Sequence, residues 1–163
     1  KCDPKTPCVL SFGHFEAIGA TNIIPSEALL KGTFRTMDEV WRKKALELIV
    51  SSAEEIAKAA GGSVEVTISK GYPYLENDPE TTRKMRTAAQ IFFGEENIHE
   101  LPIRLTAEDF SFYSQIAPVC FFRLGVRNEA KGITYGVHHP KFDIEKEALR
   151  TGVRAMCIAA FID

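Results

Sequence analysis

Long hydrophobic runs are missing from this sequence. Nothing in it approaches the roughly 18 apolar residues that would cross a bilayer, and no basic-then-apolar leader opens it. Excess charge of either sign is missing too. A formal net charge of -2 gives no electrostatic footprint for nucleic acid or for an anionic membrane surface. Cysteine is scarce and scattered. Cys2, Cys8, Cys120 and Cys157 form no C-x-x-C pair and no dense disulfide framework, so reduced thiols in a cytoplasmic setting are expected. Cys120 and Cys157 stand in apolar runs and read as core, whereas Cys2 and Cys8 are poorly spaced for a metal pair. There is no HExxH or HxxxH spacing, no Gly-rich phosphate loop and no nucleophile–base pairing, so motifs alone support no self-sufficient enzyme.

What is present has the composition of a globular protein. With 45% hydrophobic residues, 163 positions can bury a core for one ordinary domain or two small ones. The chain opens on Lys1 rather than Met, and the expectation is that it belongs to something longer. Residues 9–13 read as a strand, followed by a Gly/Ala-rich loop through Gly19 and Asn22 to Pro25. A second extended segment from Glu27 to Arg35 places Leu30, Gly32 and Phe34 on one face. From Asp38 to Ala60 the spacing predicts a helix with Ala45, Ile49, Ala53 and Ala57 on one stripe, widened by Leu46 and Ile56 and ended by Gly61-Gly62. Trp41 on this helix reads as core. Residues 63–70 alternate, with Val64, Val66 and Ile68 on one side, as a half-buried strand does.

The Gly71-Tyr72-Pro73 turn and the polar residues after it suggest a boundary between lobes. Asp78 then caps a second helix with Pro79 at its first position and Gly94 past its end. Thr106-Ala107-Glu108-Asp109 has the form of a capping box before a short helix. Pro118–Gly125 reads as a continuously apolar strand. A last helix from near Asp143 carries Leu149, Val153, Cys157 and Phe161 at four-residue spacing. One convincing buried strand does not make a sheet, so its partners must come from the first half or from residues outside this sequence.

Few residues offer chemistry. His138 and His139 lie in a Gly-containing loop after the apolar strand, with Pro140 stiffening the chain behind them; a neutral imidazole there can ligate a metal. With no second histidine at ligand spacing, a structural or solvated histidine is the simpler reading of these residues alone. Glu108 and Asp109 are adjacent carboxylates whose ordinary role is to complement a helix N-terminus. Arg35 ends an extended segment beside Thr33 and Thr36 and has the geometry to grip a carboxylate, although a solvated arginine is the ordinary case. Asn22 reads first as a turn residue. His14 and His99 have no supporting neighbours.

Four segments in order change that balance: Gly19-Ala20-Thr21-Asn22-Ile23-Ile24-Pro25, Lys31-Gly32-Thr33-Phe34-Arg35-Thr36, Ala107-Glu108-Asp109-Phe110, and Val137-His138-His139-Pro140-Lys141-Phe142-Asp143-Ile144-Glu145. Over nearly the whole chain they resemble the M20 metallopeptidase family, in particular its amidohydrolase branch of N-acyl-amino-acid, hippurate and indoleacetyl-amino-acid hydrolases. The resemblance implies an α/β fold class: an α+β lid portion over residues 1–74 joined to part of an α/β catalytic domain over residues 75–163. Together these form the C-terminal fragment of a two-domain fold. It implies a metal role for His138 rather than His139. Asn22 and Arg35 take the substrate carboxylate, and Glu108 and Asp109 line the pocket.

The complete enzyme implied is a metal-dependent amidohydrolase that cleaves N-acyl amino acids or small peptides with two zinc or manganese ions, and the lid is a possible homodimer surface. The family's other metal ligands, its general-base Glu and the first strand and helix of its lid match nothing in residues 1–163. The isolated chain is therefore expected to be inactive and to bind metal weakly or not at all. The alternative is a non-catalytic α+β binding or dimerisation module with His138 structural.

Overall fold

The computed structural model of the chain describes residues 6–162. It divides into two compact units: residues up to Leu75 together with Ile103–Phe112, and Glu76–Pro102 together with Tyr113 onward. The sequence gives no local sign that Ile103–Phe112 returns to the first unit.

The first unit is built on an antiparallel ribbon of β1 (Cys8–Glu16) and β2 (Leu29–Thr36). Cys8 pairs with Thr36 and Glu16 with Leu29, and a bulge between Phe12 and His14 takes up the extra Gly13. Opposite Phe12 stands Gly32, where a Cβ would come within 2.6 Å of both the Phe12 ring and the Ser11 carbonyl oxygen. The hydroxyls of Ser11 and Thr33 pair across the strands at 3.2 Å.

Helix α1 (Glu39–Ala59) starts where the Asp38 carboxylate accepts the Trp41 amide proton at 2.9 Å. It stops in a Schellman arrangement. Gly61, at φ 78°, donates to the Lys58 carbonyl oxygen, and Gly62 donates to that of Ala57. Ala45 is buried, and Leu46, Ile49, Ala53 and Ala57 are half-buried, as their spacing predicts; Ile56 faces outward instead. Trp41 is half-buried rather than fully core.

Residues 63–70 do not form the expected strand. No ladder partner exists for them among the described residues, and Val64 and Ile68 are exposed. Alternation sets which side chains would face a core, but a strand needs a neighbour that its own sequence cannot supply.

In the second unit, α2 (Pro79–Phe93) is capped by Asp78, whose carboxylate accepts the Thr81 amide proton at 2.7 Å. That bond is the main cause holding the Asp78 carboxyl below its ordinary pKa. Gly94, at φ 86°, lies just past the helix end. The short helix expected after Thr106–Asp109 is α3, which runs from Ser111 to Ser114.

The apolar run 118–125 also lacks a strand partner among the described residues. The Asn77 side chain substitutes at one position. Its amide donates to the Phe121 carbonyl oxygen at 2.9 Å and accepts the Phe121 amide proton at 2.7 Å. Val119 is buried, and Cys120 is only half-buried.

Helix α4 (Glu147–Ala159) turns the opposite face inward from the one its spacing suggests. Ala148 and Ala155 are buried, and a Cβ on Gly152 would stand 3.0 Å from the Leu124 side chain. Leu149 (58%), Val153 (64%), Cys157 and Phe161 (86%) are exposed. Small residues permit close packing on the inner side, and the large apolar ones are left uncovered.

The whole chain exposes 13220 Å². A compact chain of this mass would expose about 8,100 Å², and two separate compact bodies of half the mass about 9,700 Å².

Candidate metal and substrate site

The loop that carries His138 is closed at its base. Asn128 and Ile133 form a bridge around a 3-10 turn at Glu129–Lys131, with Gly132 in the left-handed region at φ 71°. Across this base lies Glu145. Its amide donates to the Val126 carbonyl oxygen at 2.9 Å, and its carboxylate accepts from the Asn128 side chain and from Lys131 Nζ at 2.8 Å. Lys131, with Asn128 behind it, holds the Glu145 carboxyl below the ordinary glutamate pKa.

A carboxyl lowered on folding stabilises the fold above its unfolded pKa, and that contribution disappears as pH falls through the folded value. Glu145→Gln is therefore expected to lower the melting temperature at pH 7, with the deficit shrinking below roughly pH 4. Thermal melts of both proteins across that range check this; a pH-independent deficit contradicts it.

At the tip, the His139 amide donates to the Gly136 carbonyl oxygen at 3.2 Å, which makes Val137 and His138 the central residues of a turn. His138 has φ 73°, the only positive φ of a non-glycine among the described residues. It occupies the position where a type II turn takes glycine. Its ring is exposed and makes no hydrogen bond among the described residues. His139 is engaged: its Nδ1 accepts the Lys141 amide proton at 3.0 Å, and its ring stacks on Tyr135 at 4.1 Å and 13°. The two adjacent histidines thus differ, one bonded into the loop and one presented by it.

The other four candidates lie in the first unit. Thr21 and Asn22 are the central residues of a turn closed by the Ile23 amide donating to the Ala20 carbonyl oxygen at 3.1 Å. Gly19 is needed beneath it, because a Cβ there would meet the Ile23 carbonyl oxygen at 2.7 Å. Arg35, at the end of β2, donates from Nη1 to the Leu105 carbonyl oxygen, which ties it to the segment bearing Glu108 and Asp109. Glu108 is half-buried, with its carboxylate near the Phe110 amide at 3.4 Å, and Asp109 is exposed. Among the described residues no three His, Cys, Asp or Glu converge to hold a metal. The open cleft formed by residues 76–79 and 114–119 is lined by none of the five. Tyr135 does not stand out in the sequence, nor does Glu145 beyond its place in the final motif; an aromatic in a histidine loop is the signal available for the first.

Residues 17–161 match peptidase family M20/M25/M40. The chain belongs to that family. Over 97% of its length it is 35% identical to thermostable carboxypeptidase 2 of Saccharolobus solfataricus, spanning 40% of that protein. It is 34% identical, over the same share, to thermostable carboxypeptidase 1 of that organism. The crystal structure of the Bacillus subtilis YXEP protein, a dinuclear metal binding peptidase from the M20 family, matches 94% of the chain with a TM-score of 0.75 at 27% identity, over 41% of its own length. The chain therefore spans about two fifths of the relatives it matches. Its mixed helix-and-strand architecture is that of M20 hydrolases. In this chain the His138 imidazole is exposed and unengaged, and no metal-holding cluster surrounds it among the described residues.

Proposed function

We propose that this chain is the substrate-anchoring, single-ligand portion of a metal-dependent amidohydrolase that cleaves the amide bond of N-acyl amino acids or small peptides. The observation that carries the reading is His138: an exposed, unbonded imidazole held at φ 73° where glycine is favoured. Unfavourable backbone conformations of this kind concentrate at functional sites. A purely structural histidine would be bonded into its surroundings, as His139 is, and that contrast weighs against a non-catalytic module.

In the mechanism, His138 would hold one divalent ion of the zinc or manganese kind. Such an ion supplies Lewis acidity toward a water and the scissile carbonyl. Arg35 and Asn22 take the substrate carboxylate. The Leu105 carbonyl oxygen engages one guanidinium N–H, leaving the remaining donors for a two-point grip. Glu108 and Asp109 line the pocket. A general base must come from outside this sequence. A homodimer through the first unit belongs to the same reading, supported by the exposed Val9, Leu10 and Phe12 of its ribbon. So does a cytoplasmic setting, supported by the free thiols of Cys120 and Cys157.

The test is complementation. The chain is assayed on N-acyl amino acids with zinc or manganese, alone and co-expressed with a segment supplying the first part of a relative, roughly the other three fifths of its length. Turnover is expected only in the combination. Turnover and stoichiometric metal binding by the chain alone overturn the reading, as does a soluble complex that binds neither metal nor substrate.

A further inference from the structure

The adjacent histidines raise the question of what keeps His138 in an unfavourable conformation with its ring free. The turn hydrogen bond closes the chain but does not by itself select a positive φ at its third residue. Additional constraint comes from the residue that follows. Pro140 disfavours helical backbone at His139. The His139 carbonyl oxygen accepts the Phe142 amide proton at 2.9 Å, its Nδ1 accepts that of Lys141 at 3.0 Å, and its ring lies flat on Tyr135. Lys141 Nζ stands 5.9 Å from the centre of the same Tyr135 ring.

We propose that Tyr135 and His139 are positioning residues: a stacked pair latched by the Lys141 amide that fixes the Val137–His138 turn and so presents the His138 imidazole. The proposal rests on the reading of His138 as a metal ligand and explains why that role falls to it alone. An Nδ1 that accepts a backbone N–H carries no proton, so in the neutral ring the proton sits on Nε2. Neither nitrogen of His139 then offers a lone pair outward. Tyr135 acts through its ring face, not its hydroxyl. Supporting partners of this kind typically change metal affinity by about 10- to 100-fold when removed.

Nuclear magnetic resonance on the full chain with labelled histidine rings tests this. His139 is expected as the Nε2–H tautomer. His138 is expected to show the strong intraresidue amide–Hα contact of a positive φ, retained in Tyr135→Phe and lost in both Tyr135→Ala and His139→Ala, with helix α4 resonances unchanged as the check on folding. In a Zn²⁺ titration, the His138 ring should respond at about tenfold higher concentration in Tyr135→Ala. A positive φ that survives both alanine substitutions overturns the latch, whatever zinc does. Zinc responses in this loop that persist in His138→Ala, with the latch signals intact, refute the ligand reading and still support the latch.

Discussion

Replacing His138 with glycine should make the chain more stable and the assembled enzyme inactive. At φ 73° a histidine side chain costs about 1–2 kcal/mol relative to an unstrained backbone. Glycine removes that cost, but its extra freedom in the unfolded chain takes back about 0.5–1 kcal/mol. The expected net gain is about 0.5–1 kcal/mol, read as a higher denaturation midpoint with an unchanged slope. His138→Ala keeps most of the backbone cost and should show no such gain. In the complemented enzyme either substitution removes the proposed ligand, so metal affinity should fall by more than the roughly 100-fold upper range for supporting residues. A glycine variant that loses stability, or that keeps its metal, contradicts the assignment of His138.

The second large effect belongs to Arg35. In the complemented enzyme Arg35→Ala is expected to raise KM about 10- to 100-fold while changing kcat much less, the pattern for loss of uniform substrate binding. The magnitude follows from a charge-assisted hydrogen bond worth about 1.5–3 kcal/mol. Arg35→Lys should recover little, because an ammonium cannot both meet the Leu105 carbonyl oxygen and offer a planar fork to a carboxylate. A large fall in kcat at constant KM would count against a binding role.

The helices were legible because their signals are local. Asp38 and Asp78 as caps, Pro79 at a first position, and Gly61 and Gly94 at the ends each act within a few residues of the bond they make. Segments 63–70 and 118–125 have the pattern of strands, but pairing depends on a neighbour distant in sequence, and no ladder forms for them among the described residues. Helix α4 misled for a related reason. It is apolar on two sides, and periodicity cannot tell which side meets a partner. At the candidate site the motif pointed to His138, and the structure adds a backbone feature no residue name reveals: its left-handed conformation beside a bonded His139. Local sequence also gave no hint that Arg35 reaches the backbone 70 residues away.

The Glu145 clamp carries a consequence for how this loop tolerates change. Val126, Asn128 and Lys131 hold both of its ends through one residue, so the tip contributes little to keeping the ends together. Substitutions between Tyr135 and Lys141 should therefore pass largely unnoticed in a library selected for abundance. The same library selected for hydrolysis would be depleted sharply at His138. Substitutions at Asn128, Lys131 or Glu145 would be filtered by both selections, because their side chains make the bonds that hold the loop for folding and for chemistry alike.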